Sequence, residues 1–192
     1  MKTRLVHNVL LIAIVLINGY IILLPVAPSI LFWLDKQDGS EVARLEKRIA
    51  PTPADTKASV PADDRLIVPG MMLDEPIHMG PTARTLRQGL WLRPQGSTPD
   101  KGSNTVIVGH RFTYTNPRGQ FYHLDKVKMG DTIGVAWKGV MYTYTVHTIK
   151  VVSADTIAVE APTDKPTLTL YTCTPLWLPT ERLVIVAEGE AS

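Results

Sequence analysis

Cysteine is almost absent from this sequence: Cys173 stands alone among 192 residues. A lone thiol excludes an intramolecular disulfide and any multi-cysteine zinc or iron–sulfur centre. An excess of one charge is missing as well. Twenty Lys and Arg oppose eighteen Asp and Glu, and two of the bases, Lys2 and Arg4, precede a long apolar run. Without them the remainder balances at eighteen against eighteen. Neutralising phosphates needs a cationic stripe, so no nucleic-acid partner is expected. No internal repeat is visible, which excludes a solenoid. What is present is a composition 45% hydrophobic and 20% charged, that of a folded protein, in a length that allows about one domain.

Val9 to Leu34 carries no formal charge. Twenty-six residues at 1.5 Å each would span about 39 Å, more than the roughly 30 Å hydrocarbon core, which leaves room for an interruption at Pro25 and Pro28. The run is too long for a signal-peptide core, and no Ala-x-Ala cleavage site follows it. Residues 9–34 are therefore expected to anchor the chain in a bilayer as an uncleaved single pass. The downstream flank, Asp35 to Arg48, mixes four bases with four acids, so Lys2 and Arg4 decide the orientation. Residues 1–8 are expected in the cytoplasm and the remainder outside.

Residues 35–64 are expected to hold a short helix and a linker. Ser40 is placed to cap a helix through Ala50, with Val42, Leu45 and Ile49 as its apolar stripe. Pro51 to Asp64 is mostly Pro, Thr, Ala, Asp and Ser, the composition of a stalk. Residues 65–192 form the domain proper. Short β-branched segments bounded by Gly, Pro, Asp or Asn predict strands at 65–68, 76–79, 105–108, 132–137, 140–152, 156–160, 167–172 and 183–187. Lys138-Gly139 is the turn of a hairpin, and Tyr142, Tyr144 and Val146 share one face of its second strand. Helix is confined to turns near 82–88 and 121–124. Eight strands in about 128 residues point to an all-β fold, a closed or nearly closed barrel.

Cys173 sits where the predicted strand Thr167 to Thr172 leaves the sheet. A lone cysteine in an extracytoplasmic domain is either a small buried hydrophobe or a reactive group. Reactivity needs a base or cation to stabilise the thiolate and a donor for the tetrahedral oxyanion. Five histidines are available. His7 lies on the cytoplasmic side, His147 within a strand, and His78 reads as structural or exposed. His123 is placed to support the site from behind. His110 ends the apolar strand Thr105-Val-Ile-Val-Gly109 at a strand-to-loop junction, the best position of the five. Arg182 opens the strand after the Cys173 loop, which would bring it back beside the thiol. An isolated arginine is otherwise a solvated surface charge.

Thr169-Leu-Tyr-Thr-Cys173 resembles the Thr-Leu-x-Thr-Cys signature of sortases, transpeptidases that attach surface proteins to the cell wall of mainly Gram-positive bacteria. Asn104-Thr-Val-Ile-Val-Gly-His110 is similar to the histidine strand of that family, and Arg182-Leu-Val-Ile-Val186 to its arginine strand. Phe121…Leu124…Lys126…Gly130-Asp131 resembles the segment after the histidine loop. The likeness covers about Arg65 to Glu188, with the three motifs in the family's order.

The resemblance implies an eight-stranded sortase-like barrel with Cys173 as nucleophile, His110 as acid and base, and Arg182 as substrate and oxyanion support. Thr172 is expected to add to that support. Trp177 and Leu178, in the loop between Cys173 and Arg182, either line the groove for an apolar residue of the substrate or merely cover the barrel end. The implied substrate is a secreted protein bearing a C-terminal signal like Leu-Pro-x-Thr-Gly or Leu-Ala-x-Thr-Gly, cleaved between Thr and Gly. The implied acceptor is an amine of a peptidoglycan precursor or a pilin. No metal or organic cofactor is implied. The stretch 51–64 has no aromatic residue to plug a thiol site, and the sequence ends in polar residues. Both favour a lidless enzyme of the housekeeping or class D/E kind. Another extracytoplasmic thiol peptidase or acyltransferase, or a wall-peptide-binding barrel without catalysis, are the alternatives.

Overall fold

The computed structural model describes residues 2–50, 60–113 and 120–189. Three helices come first: α1 (Lys2–Leu23), α2 (Ala27–Asp38) and α3 (Ser40–Ile49). The apolar run is interrupted at Leu24–Val26, next to the prolines. Thr3–Leu23 is long and apolar enough to cross a membrane, with mean hydropathy 2.2.

Eight strands follow: β1 (Arg65–Val68), β2 (Leu73–Met79), β3 (Leu90–Leu92), β4 (Asn104–Val108), β5 (Thr132–Trp137), β6 (Val140–Ser153), β7 (Thr167–Thr174) and β8 (Glu181–Gly189). They close into a barrel in the order β1-β2-β3-β4-β7-β8-β6-β5. Closure rests on β1 pairing antiparallel with β5, while β2–β3 and β4–β7 are the parallel pairs. Inward side chains from every strand meet in one apolar core, with Leu66, Ile107, Ile133, Leu168, Leu170 and Ile185 wholly buried. The β5–β6 hairpin turns at Lys138 (φ 50°) and Gly139 (φ 76°), the pair of left-handed residues that matches strand twist.

Two strand expectations change. Thr156–Glu160 is not a strand; Ile157–Glu160 forms a 3₁₀ turn. Its composition suits a strand, but β4 and β8 already flank β7, so no ladder edge is free for it. The buried Asn104 instead binds this loop, its Nδ2 donating to the carbonyls of Val159 (3.1 Å) and Ala161 (2.9 Å). The eighth strand is Leu90–Leu92, whose three residues are too few to show alternation. Other ends shift too. β7 runs on to Thr174 and β8 starts at Glu181, because the two pair along their full length.

Ser40 does not cap α3. Gly39, in a left-handed conformation, holds the cap position, and the Ser40 hydroxyl donates to Asp38 instead. The apolar stripe of α3 is buried on the barrel, where Leu45 and Ile49 meet Ile67 and Met141. Gly134 permits that approach: a Cβ there would lie 2.4 Å from Ile49 Cγ2. Arg48 of α3 also pairs with Asp74, which Arg65 Nε holds from the other side at 2.7 Å. Most of the expected stalk, 51–59, lies outside the described residues. What it joins are two elements of one packed body, α3 and β1.

Candidate active site

The site is assembled from the ends of β4, β7 and β8. Cys173 and Arg182 face each other as cross-strand partners in the antiparallel β7–β8 pair, which sets their Cβ atoms about 4.5–5.5 Å apart. On the other side β4 runs parallel to β7, with Val108 opposite Tyr171. Two residues further along both strands, the chain reaches His110 and Cys173 together.

Gly109 is what lets β4 leave the sheet there. A Cβ at this position would lie 2.9 Å from Phe121 Cγ and 3.0 Å from Leu90 Cδ2. The Thr172 hydroxyl then donates to the Gly109 carbonyl at 2.8 Å, a buried bond that joins the residue before the thiol to the residue before the imidazole. A hydroxyl has one proton to give. Thr172 therefore acts in this geometry as a tie between the two segments. Beyond His110, the His110 carbonyl accepts from the Phe121 amide at 3.0 Å. Arg111 Nη1 donates to Thr174 Oγ1 at 2.7 Å, and its Nη2 lies 3.5 Å from Asp125 Oδ1. Residues on both sides of His110 are thus bonded to residues on both sides of Cys173.

His110, Thr172, Cys173 and Arg182 line one cavity of about 280 Å³. Of the five histidines only His110 lines it. Burial lowers the His110 pKa and favours the neutral imidazole. Cys173 is half-buried. Larger clefts lie where α2 and α3 meet the barrel, and none of the three expected catalytic residues lines them.

The remaining expectations fare differently. His7 and His147 are exposed. His78 is half-buried against Gly89. His123 packs between Phe32, stacked at 4.1 Å between ring centroids, and Tyr122. Trp177 and Leu178 do not line the cavity. They are 60% and 68% exposed, and Trp177 faces Phe112 of the histidine loop at 6.3 Å.

The cavity also holds residues that the sequence reading passed over: Trp91, Arg93, Glu160 and Tyr171. Arg93 Nε donates to Glu160 Oε1 at 2.9 Å, and the Tyr171 hydroxyl donates to the same oxygen at 2.5 Å. Burial and the Glu160 carboxylate raise the Tyr171 pKa and keep the phenol protonated. The Arg93 guanidinium lies 4.4 Å from the Trp91 ring centroid. Arg93 and Glu160 are 67 residues apart, so no local pattern could have paired them. The available signal was Tyr171 itself, the variable position inside the Thr-Leu-x-Thr-Cys string.

The sortase-domain family model matches residues 66–190. The chain belongs to the sortase family. Among solved structures it is similar to sortase A from Corynebacterium diphtheriae, with 28% identity over 69% of this chain and 62% of that one, at a TM-score of 0.61. It is also similar to Streptococcus agalactiae sortase C1, in complex with MTSET, with 25% identity over 79% and 91% of the two chains and a TM-score of 0.60. Sortase C-1 from Actinomyces oris shares the fold at 24% identity and a TM-score of 0.60, over 80% and 84% of the two chains. No curated protein sequence matches the chain. Family membership brings a cysteine-transpeptidase-like role and membrane anchoring.

Proposed function

We propose that this protein is a membrane-anchored transpeptidase. It cleaves a C-terminal Leu-Pro-x-Thr-Gly-like or Leu-Ala-x-Thr-Gly-like signal between Thr and Gly and joins the Thr to an amine. The observation that carries this reading is the single cavity lined by His110, Cys173 and Arg182.

The Cys173 thiol gives its proton to the His110 imidazole as its sulfur adds to the Thr carbonyl carbon, and the Arg182 guanidinium donates hydrogen bonds to the oxygen as it becomes anionic. As the tetrahedral species collapses, the C–N bond to Gly breaks and the His110 imidazolium gives its proton to the departing amine. A thioester joins Thr to Cys173. An incoming amine adds to the same carbonyl, gives its proton to His110, and the Cys173 thiolate leaves. One proton and one acyl group are exchanged, so no cofactor is needed.

Secreted proteins with such a signal are the donors, and a peptidoglycan precursor or pilin supplies the amine. The exposed Trp177 and Leu178 offer an apolar rim to the Leu of the signal. The apolar run of residues 9–34 anchors the protein with its N-terminus in the cytoplasm and the barrel outside. The lidless subclass remains part of the proposal, although residues 51–59, on which a lid would fall, lie outside the described residues.

The test uses the full chain in detergent micelles with both signal peptides, with and without an added amine. Mass spectrometry is expected to find Thr–Gly cleavage, a Cys173 acyl adduct and the amide product, none of which survives Cys173→Ala. No adduct from folded protein would overturn the substrate assignment. Failure of Cys173 to react with an alkylating agent would further remove the thiol role.

A further inference from the structure

Helix α2 has two apolar faces, and only one is covered. Pro28 and Phe32, four residues apart, are buried on the barrel. There the Phe32 ring stacks on His123, and the Tyr122 hydroxyl donates to the Pro25 carbonyl and lies 3.2 Å from Ser29 Oγ. At about 100° per residue, Ile30, Trp33, Leu34 and Gln37 fall on the opposite side. Ile30 is 53% exposed, Trp33 63% and Leu34 52%. Charged residues enter only in the last turn, at Asp35, Lys36 and Asp38.

What covers this face follows from what precedes it. Thr3–Leu23 is 21 residues long, and none of its most apolar window is buried within the protein. At 1.5 Å per residue it spans about 32 Å, so α1, with Thr3 to Asn8 entering the membrane instead of staying in the cytoplasm as the sequence alone suggests, matches the hydrocarbon core without help from α2. Only Leu24, Pro25 and Val26 separate the two helices, a reach of about 10 Å when extended. The uncovered face therefore continues directly from the bilayer-spanning surface. Trp is also a residue that favours the headgroup level.

We infer that α2 lies in the membrane–water interface, with Ile30, Trp33 and Leu34 set into the lipid while Phe32 and Pro28 grip the barrel. α2 is then a seat: it holds the catalytic domain against the bilayer instead of letting it swing on a tether. The grip reaches the candidate site along a short path, because Tyr122 and His123 follow Phe121, whose amide binds the His110 carbonyl. The inference rests on anchoring through α1 and not on the transpeptidation reading.

The test is nitroxide accessibility in the full chain, reconstituted in vesicles of three parts phosphatidylcholine to one part phosphatidylglycerol. Single cysteines are introduced in a Cys173→Ala background at Ile30, Trp33 and Leu34, with Val15→Cys in α1 and Val140→Cys on the exposed β5–β6 turn as references. Thermal melting first establishes that each variant is folded. Labels at 30, 33 and 34 are expected to collide about fivefold less with a water-soluble nickel chelate than the label at 140, and more with oxygen. Water-like accessibility at these three positions, with the label at 15 shielded, would overturn the seat and leave the anchor intact. Spin–spin broadening among labels on α2 that persists in detergent would overturn it in favour of a second copy of the chain. Water-like accessibility at 15 would overturn the anchor and the seat together.

Discussion

Replacing Thr172 with valine isolates the bond between the two halves of the site. Valine keeps the branched shape and nearly the volume of threonine, so the packing around this 1% exposed residue is retained and only the hydroxyl is removed. The loss is the 2.8 Å bond to the Gly109 carbonyl, and the carbonyl is left in a buried setting without that donor. A bond of this kind contributes about 0.5–1.5 kcal/mol net, and stranding its buried partner raises the cost to about 1–3 kcal/mol. For a body of this size that lowers Tm by about 3–10 °C. Peptide cleavage is expected to fall about tenfold, which corresponds to about 1.4 kcal/mol of lost alignment between imidazole and thiol. Thr172→Ser restores the donor and is expected to recover most of both. Calorimetry and initial rates on the full chain in micelles supply the measurements. A valine variant that melts and turns over like the parent would refute the tie. A valine variant that loses rate without losing Tm would show the hydroxyl acting on the reacting atoms, as the sequence reading expected.

Three further outcomes are expected. Burial lowers the His110 pKa, so in Cys173→Ala its imidazole is expected to titrate by NMR below the ordinary 6.5, and a midpoint above 6.5 would refute the cause given. The His123 pKa is pushed down to about 4, chiefly by burial, with Asp125 pulling it up. Between pH 6.5 and 4 the unfolded chain then binds a proton that the folded chain refuses, so stability falls as pH falls, by about 1–3 kcal/mol. His123→Asn is expected to flatten that part of the Tm–pH curve, and an unchanged slope would count against it. Arg111→Met keeps the buried stem but removes the bonds to Thr174 and Asp125. It is expected to lower kcat about tenfold with KM nearly unchanged, since it displaces the imidazole without touching the peptide. A rise in KM alone would instead make Arg111 a substrate contact.

Much of this molecule is legible in its sequence, and the parts that are not share a cause. Long strands announce themselves by alternation, and β5 and β6 do so with the Lys138-Gly139 turn between them. That Cys173, His110 and Arg182 come to one cavity was legible because each stands at a strand end in a string of fixed spacing. β3 was not, because three buried residues carry no period. The turn at Ile157–Glu160 was misread because β-branched residues describe what a segment could pair with, not whether an edge is free. Asn104 decided the matter from 55 residues away, through bonds to Val159 and Ala161. Such bonds leave no mark on the composition of the loop they hold.

The same distinction governs the site. Cys173 and Arg182 meet because β7 and β8 are antiparallel neighbours, a pairing that consecutive strands readily adopt. His110 meets Cys173 only because β4 and β7 run parallel, and that pairing is separated by the whole β5–β6 hairpin. The antiparallel half is local and is set by a nine-residue interval. The parallel half is long-range, and its final step out of the sheet depends on a glycine with no room for a Cβ and on one threonine hydroxyl. Perturbations should therefore divide the two halves. Changes in the Trp177–Leu178 loop are expected to spare the Cys173–Arg182 pair, which the ladder holds from both sides. Changes at Gly109, Thr172 or Arg111 are expected to separate imidazole from thiol while the barrel stays closed.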